Sequence, residues 1–185
     1  MKHILVKVML IFGSAAFAAE HTKTVRKFET LAEKGDLNAQ IELAKAYRQG
    51  IGFSQDYKRA VNWFTLAAEQ GDAEAQYNLG VMHSFGLGVV PNNETAVKWY
   101  TLAAKQGDAL AQYNLGRLYF LGHGVSGNMV YAHMRAKQAS LNGFLMGEKL
   151  TELLKELMTP SQIEEAHQLE KKMLKEKLQV LLGRL

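Results

Sequence analysis

The stretch whose glycine spacing could hold a cofactor is LGHGVSGN, residues 121–128. Gly122, Gly124 and Gly127 have the spacing G-x-G-x-x-G, in which glycines let the backbone approach the pyrophosphate of a dinucleotide. With glycine in place of Asn128, the stretch would also spell a nucleophile elbow around Ser126. A dinucleotide site, however, needs a strand before the glycines and a βαβ unit around them. The surrounding sequence therefore decides whether these glycines hold a ligand or connect two elements.

Other side chains that could support catalysis or bind a metal are scattered along the chain. The six histidines form neither H-E-x-x-H nor another compact metal-binding spacing, and the chain has no cysteine. S-x-x-K, the simplest penicillin-binding signature, does not occur. Trp63 and Trp99, 36 residues apart, could stack sugar rings or anchor a partner, but their periodic placement favours packing. We therefore predict a protein that is not an enzyme and that has no metal and no cofactor.

The chain repeats itself every 36 residues, with no insertion between the copies. The boundary glycines are followed by a repeated aspartate, and further along by a repeated glutamine and two loop glycines. The aligned sets are Gly35/Gly71/Gly107/Gly143, Asp36/Asp72/Asp108, Gln40/Gln76/Gln112, Gly50/Gly86/Gly122 and Gly52/Gly88/Gly124. In this register Gly122 and Gly124 are the third copy of a loop, and only Gly127 has no counterpart. We therefore interpret LGHGVSGN as a turn between two helices.

Each unit is predicted to contain two helices, such as DAEAQYNLGVMHSFG and NETAVKWYTLAAKQG, joined by the Gly-x-Gly loop. The aspartate after each boundary glycine should cap the first helix, and the glycine should end the preceding one in the left-handed conformation. Small residues at three- and four-residue spacing let neighbouring helices approach closely. Since one unit cannot bury its apolar face alone, several must stack. The predicted fold is all-α, an α/α solenoid of 36-residue helix-turn-helix repeats.

The two ends of the repeat array depart from the pattern. We predict that the array covers residues 19–158, with units starting near 35, 71 and 107 and degenerate units at both ends. In the third unit His133, Arg135 and Ala136 replace valine, tryptophan and an aromatic residue, so its second helix should pack less tightly or differently. Thr159 and Gln162 can form a capping box around Pro160 at the start of a C-terminal helix, residues 159–185. This helix either covers the last apolar surface or forms a coiled coil or a partner-binding surface.

The first 18 residues resemble a secretory signal peptide, with Lys2 and Lys7, a short apolar run and the cleavage site Ala16-Phe17-Ala18. The apolar run is much shorter than the roughly 20 residues that a membrane anchor needs. Removing the two lysines lowers the formal net charge from +4 to +2. A nearly neutral mature chain gives little support to binding of nucleic acid or of an anionic membrane. We expect export, most simply to the periplasm, although secretion is possible.

The repeat resembles that of the Sel1-like family, relatives of the tetratricopeptide repeats. The residues that carry the resemblance are AQYNLGVMHSFGLGVVPN with AVKWYTLAAKQG, AQYNLGRLYFLGHGVSGN and, more loosely, AQIELAKAYRQGIGFSQD with AVNWFTLAAEQG. The resemblance covers about residues 24–142 and implies a non-catalytic adaptor for other proteins, in the bacterial envelope or in contact with host cells. A few members are linked to cell-wall or β-lactam compounds, so the alternative is a cell-wall-associated protein that binds or hydrolyses peptidoglycan fragments or β-lactams.

A partner is expected on the first helices of the units, which line the concave side of tetratricopeptide-like arrays. Side chains that point away from the buried alanines and leucines there can offer aromatic area and hydrogen bonds to an extended peptide or another protein. The two tyrosines among them could instead pack between repeats. The predicted partner-binding residues are Lys45, Arg48, Tyr77, Asn78, Tyr113, Asn114, Arg117 and Phe120.

Overall fold

The structure, a computed structural model, describes residues 28–182, which contain helices and turns but no strand. The helices are α1 (described over 28–33), α2 (Leu37–Gln49), α3 (Tyr57–Glu69), α4 (Ala73–Phe85), α5 (Asn93–Lys105), α6 (Ala109–Leu121), α7 (Met129–Leu141), α8 (Leu145–Leu157) and α9 (Pro160–Leu182). The predicted all-α fold of helix-turn-helix repeats is confirmed. The proposed signal peptide, residues 1–18, lies outside the described residues. Within 28–182 no helix is both long and apolar enough to span a bilayer.

The chain divides into two compact units, which we describe separately. In the first, up to Gln70, α2 packs on α3 around Ala32, Ala39 and Leu43, and Trp63 packs against this core. In the second, from Gly71, α4 packs on α5, α5 on α6, α6 on α7, and α7 on both α8 and α9. The contact of Trp63 supports the structural interpretation of its periodic position.

The predicted helix caps are present. The carboxylates of Asp36, Asp72 and Asp108 accept hydrogen bonds from the third backbone N–H after them, at 2.8, 2.7 and 2.6 Å. The boundary glycines Gly71 and Gly107 both have φ of 95°. This left-handed conformation disfavours residues with a Cβ, so the repeated glycine ends one helix where the repeated aspartate begins the next.

The glycines of LGHGVSGN make a turn, as predicted. Gly122 has φ of 67° and ends α6, and Gly124 has φ of 73° in the loop before α7. A Cβ on Gly124 would lie 2.4 Å from the carbonyl carbon of Asn93, at the start of α5. Glycine is needed here because the loop backbone lies against the backbone of the preceding helix pair. Helices, not strands, stand on both sides, so the requirement for a dinucleotide site is not met.

The third repeat packs by backbone contact where the second packs around an aromatic ring. In the second repeat Tyr100 is buried against Gly80, where a Cβ would lie 2.5 Å from the ring. In the third repeat the residue equivalent to Tyr100 is Ala136, so no ring lies at this position. A Cβ on Gly116 would lie 3.1 Å from the carbonyl oxygen of Ala132, and one on Gly147 would lie 2.6 Å from that of Ala136. Helix α7 is therefore held closely between α6 and α8, so it packs differently, as expected, but not less tightly.

In each 36-residue repeat, an amide side chain at the end of the second helix is hydrogen-bonded to the start of the first helix. Gln106 Nε2 donates to the carbonyl oxygen of Gly71 and to Oε1 of Gln76, at 2.9 Å in both cases. Asn142 Nδ2 donates to the equivalent acceptors of Gly107, at 3.2 Å, and Gln112, at 2.9 Å. In the first unit Gln70 makes the same pair of bonds. We call this repeated pair of bonds the amide clamp; it explains the repeated glutamines, which are buried.

The histidine that replaces valine in the third repeat is fully buried where α7 meets α9. Among residues 28–182 neither ring nitrogen of His133 finds a hydrogen-bond partner, and Nδ1 lies 3.7 Å from Oε1 of Glu170. The other oxygen of Glu170 accepts from Lys137 Nζ at 2.6 Å, and the ring of His167 lies 6.4 Å from that of His133. Burial lowers the pKa of His133, and the carboxylate of Glu170 opposes this effect only in part.

The stability of the fold should therefore fall as the pH drops below the ordinary histidine pKa of 6.5. In that range the unfolded chain binds a proton that the folded chain excludes, until the pH reaches the lower folded-state pKa. His133→Val, which restores the residue of the first two repeats, should flatten this dependence and stabilise the fold by about 1 kcal/mol at neutral pH. Urea denaturation between about pH 5 and 8 measures both effects. The exposed His123 supplies the control His123→Val; equal pH profiles for the wild type and His133→Val would contradict the prediction.

The C-terminal helix begins as predicted. Gln162 Oε1 accepts from the backbone N–H of Thr159 at 2.9 Å, and Thr159 Oγ1 accepts from that of Gln162 at 3.3 Å. These two bonds form the capping box. From this start α9 lies along α7, where Ala166 is fully buried and Ile163 packs against the core of the second unit.

Candidate functional site

The second unit has a cavity of about 170 Å³ at the ends of its first helices. We call it the α4–α6 cavity. Helices α4, α5 and α6 and the loop after α6 supply its walls. The lining residues are Ser84, Phe85, Asn93, Tyr100, Asn114, Arg117, Leu118, Leu121 and His123.

The buried and half-buried polar residues that line the α4–α6 cavity, which we call its base, are neutral. Burial raises the pKa of Tyr100 to about 12, although a hydrogen bond with Ser84 acts in the opposite direction. The phenol therefore keeps its proton at neutral pH and can donate as well as accept a hydrogen bond. Asn93 and Asn114 add amide groups of the same kind. Such a base suits the backbone or a polar side chain of a bound peptide.

The exposed residues that line the cavity, which we call its rim, include two large apolar side chains and one basic side chain. Phe85 is 68% exposed and Leu121 is 48% exposed, so both present large apolar surfaces to solvent. Arg117 is exposed beside them, with its guanidinium carbon 5.9 Å from the centroid of the Tyr113 ring. Tyr113 is itself in edge contact with Phe144, with ring centroids 5.1 Å apart. None of the described residues that line the cavity is a carboxylate, so the charge of Arg117 is available to an anionic ligand group.

The predicted residues of the second unit divide between the cavity and the core. Asn114 and Arg117 line the cavity. Tyr113 supports Arg117, whereas Tyr77 packs against the core, with its ring 6.0 Å from that of Tyr100. Phe120 is half-buried against the core formed by α7, α8 and α9. The core contacts of Tyr77 and Tyr113 agree with the alternative expectation that the two tyrosines pack between repeats. Phe120 is also a packing residue.

Asn78 is not accessible to a partner, contrary to the expected exposure. Its side chain is only 3% exposed, and its amide donates to the carbonyl oxygen of Glu74 at 2.8 Å. A bond to the carbonyl four residues earlier satisfies a buried amide within its own helix. Asn114, one repeat later, is half-buried and lines the cavity. The same residue type thus has different environments in two repeats.

The two predicted residues of the first unit make contacts within that unit. Lys45 Nζ lies 3.4 Å from Oε1 of Glu42, one turn earlier on α2. The guanidinium carbon of Arg48 lies 5.9 Å from the centroid of the Phe64 ring, and its backbone carbonyl accepts from Gln55. Both side chains are half-buried, so they offer a partner less free surface than Arg117 does.

A larger cavity, of about 360 Å³, lies in the first unit between α1, α2 and α3. Its charged groups are connected to one another: Arg59 Nη1 donates to the hydroxyl of Tyr47 at 3.0 Å, and that hydroxyl donates to Glu29 at 3.3 Å. Glu33 also lines it. Because its arginine is already bonded and two carboxylates stand near, this cavity is less suited to an anionic ligand than the α4–α6 cavity.

Phe85, Leu121 and His123 line the cavity as well, and they were not predicted from the sequence. A signal was present, because the last residue of the first helix is large and apolar at both 85 and 121, directly before the loop glycine. The equivalent residue of the first repeat is the polar Gln49, so the apolar position is not repeated in all three copies. Over residues 28–182 no group of histidine, aspartate and glutamate could hold a metal ion.

Comparison with known proteins identifies the repeat. The profile of the Sel1 repeat matches residues 37–72, 73–108 and 109–143, more than half of the chain. The chain belongs to the Sel1 repeat family. Each matched copy contains one described pair of helices, so the 36-residue register corresponds to the Sel1 repeat itself. Sel1 repeats are typical of protein–protein interaction scaffolds and are generally non-catalytic.

Solved structures of other Sel1 repeat proteins are similar to this chain. A Sel1 repeat protein from Oxalobacter formigenes is 35% identical, with a TM-score of 0.64, over 70% of this chain and 98% of that one. The protein c5321, a protective antigen of uropathogenic Escherichia coli strains, is 27% identical with a TM-score of 0.54, over 83% of this chain and 41% of that one. The cysteine-rich protein B of Helicobacter pylori, 18% identical with a TM-score of 0.56 over 75% of this chain and 98% of that one, shares the fold. A search of curated proteins gave no match.

Proposed function

We propose that the chain is a non-catalytic scaffold of the bacterial envelope that binds an extended segment of a partner protein at the α4–α6 cavity. The observation that carries the proposal is the rim of that cavity, where exposed Phe85 and Leu121 stand beside exposed Arg117. Exposed aromatic side chains next to an arginine are typical of the centres of protein interfaces, and the neighbouring Leu121 adds apolar area. The partner segment would place an apolar side chain between Phe85 and Leu121 and an acidic group on Arg117.

The envelope location rests on the sequence of residues 1–18. If they are removed on export, the mature chain starts at Ala19, which intact mass measurement of the exported protein would detect. A role in contact with host cells is supported by similarity to the protective antigen of uropathogenic Escherichia coli. Export to the periplasm and export to the cell surface are both compatible with a scaffold of this kind.

Replacing Arg117 by glutamate should weaken peptide binding at least about tenfold, because a repulsive charge then faces the acidic group of the peptide. Peptides would be selected from a random displayed library on the purified chain, and their Kd values measured by titration. Lys105→Glu changes the net charge equally at an exposed position outside the cavity lining, so its Kd should stay within about twofold of the wild type.

Leu121→Ser tests the apolar rim in the same titrations and should also raise the Kd. Peptide binding that is unchanged in both Arg117→Glu and Leu121→Ser would refute the cavity as the site. Sedimentation with peptidoglycan, also unchanged in Arg117→Glu, together with a failure to select any peptide would favour the cell-wall alternative.

A further inference from the structure

The C-terminal part of α9 carries an apolar surface that the repeats do not cover. Helix α9 has 23 residues, whereas α8 has 13, so α9 is roughly 15 Å longer. Contacts with α7 reach as far as Met173, whose sulfur lies 3.6 Å from Gln138 Nε2. Leu174, Leu178 and Leu182 follow, and they are 70%, 54% and 60% exposed. Their spacing of four residues places them along one side of the helix. We call these three residues the leucine row.

The leucine row is surrounded by positive charge. Lys171, Lys172 and Lys175 are exposed on α9. Residues 171–182 contain four lysines and one glutamate, although the chain as a whole carries only a small net charge. A helix with leucines on one side and lysines around them has the pattern of segments that lie in the interface of a membrane.

We propose that the leucine row binds the surface of an anionic lipid membrane. The leucines would enter the boundary between headgroups and acyl chains, and the lysines would contact lipid phosphates. The contact would be peripheral and reversible, since three leucines bury little apolar area. It does not depend on the α4–α6 cavity, so a scaffold that binds its partner there could be held at a membrane by α9.

A lipid surface fits these residues better than a protein does. A second copy docked on the same row would bring the lysines of both helices within a Debye length of one another, about 8 Å at physiological salt. Residues 171–182 contain no tryptophan, tyrosine or arginine, the residue types that dominate the binding energy of protein interfaces. The positive charge of the lysines favours an anionic surface. The absence of tryptophan, tyrosine and arginine favours a lipid surface over a protein surface.

The absence of native cysteine allows a direct test, because a single introduced thiol takes a fluorescent label uniquely. The full chain with Leu178→Cys would be labelled with an environment-sensitive nitrobenzoxadiazole dye and mixed with vesicles of phosphatidylglycerol and phosphatidylcholine. Emission should rise several-fold, because the dye moves from water into the interface. The rise should be lost at high salt or in the background Lys171→Glu/Lys175→Glu. Leu141→Cys is the control, since Leu141 is 78% exposed but lies on α7.

Three results would overturn the proposal. Emission at the Leu178→Cys position could stay unchanged with anionic vesicles, or it could rise equally with pure phosphatidylcholine. It could also rise with protein concentration before vesicles are added, in which case a second copy covers the leucine row. Peptide affinity measured on Leu174→Gln/Leu178→Gln separates this proposal from the scaffold function, because it should equal that of the wild type.

Discussion

Gly147→Val should lower the free energy of unfolding by at least about 3 kcal/mol. A Cβ at this position would lie 2.6 Å from the carbonyl oxygen of Ala136 and 2.6 Å from the backbone nitrogen of Ser140. Backbone atoms cannot move aside as a flexible side chain can, so α8 would have to shift away from α7. Urea denaturation followed by circular dichroism measures the loss.

Gly127→Val is the matched control for this prediction. A Cβ on Gly127 would meet no atom closer than 3.7 Å, and its φ is not positive. The substitution should therefore change the free energy of unfolding by less than about 1 kcal/mol. If Gly147→Val is tolerated as well as Gly127→Val, the close approach of α7 and α8 described above is wrong.

Tyr100→Ala should lower the free energy of unfolding by about 3 to 5 kcal/mol. The ring is 1% exposed and fills the space beside Gly80, where no Cβ is present to take its place. Removing the ring leaves a cavity and removes apolar contacts in the core shared by α5 and α6. Thermal or urea denaturation of the full chain measures the loss.

Two further variants separate the contributions of the Tyr100 side chain. Tyr100→Phe keeps the ring and removes only the hydroxyl beside Ser84, so it should cost about 1 kcal/mol. Leu102→Ala, at a 42% exposed position of the same helix, should cost less than about 1 kcal/mol. If Tyr100→Phe were as damaging as Tyr100→Ala, the hydroxyl rather than the ring would hold this part of the core.

The fold could be predicted from the sequence because the same helix-capping residues occur in each repeat. The aspartate, the boundary glycine and the capping box of Thr159 and Gln162 act within three or four residues of themselves, and their hydrogen bonds are present as expected. A 36-residue period adds the long-range information, because stacked units of equal length must pair equivalent helices.

The candidate site was harder to predict because exposure depends on neighbouring helices. Asn78 and Asn114 occupy the same position in consecutive repeats, yet Asn78 is buried. Phe120 packs on helices that leave the repeat pattern, so the register alone could not place it. The rim residues Phe85 and Leu121 were missed because the equivalent residue of the first repeat is the polar Gln49. Whether any of these residues binds a partner remains a prediction.

The amide clamp also constrains the number of residues between its donor and its acceptors. Asn142 reaches acceptors 35 and 30 residues earlier, as Gln106 and Gln70 do. One residue added or removed within either helix would displace both bonds, whereas a complete repeat carries its own donor and acceptors. Natural variants of such a protein should therefore change the repeat number by whole repeats, and changes of one or a few residues should lie in the loops.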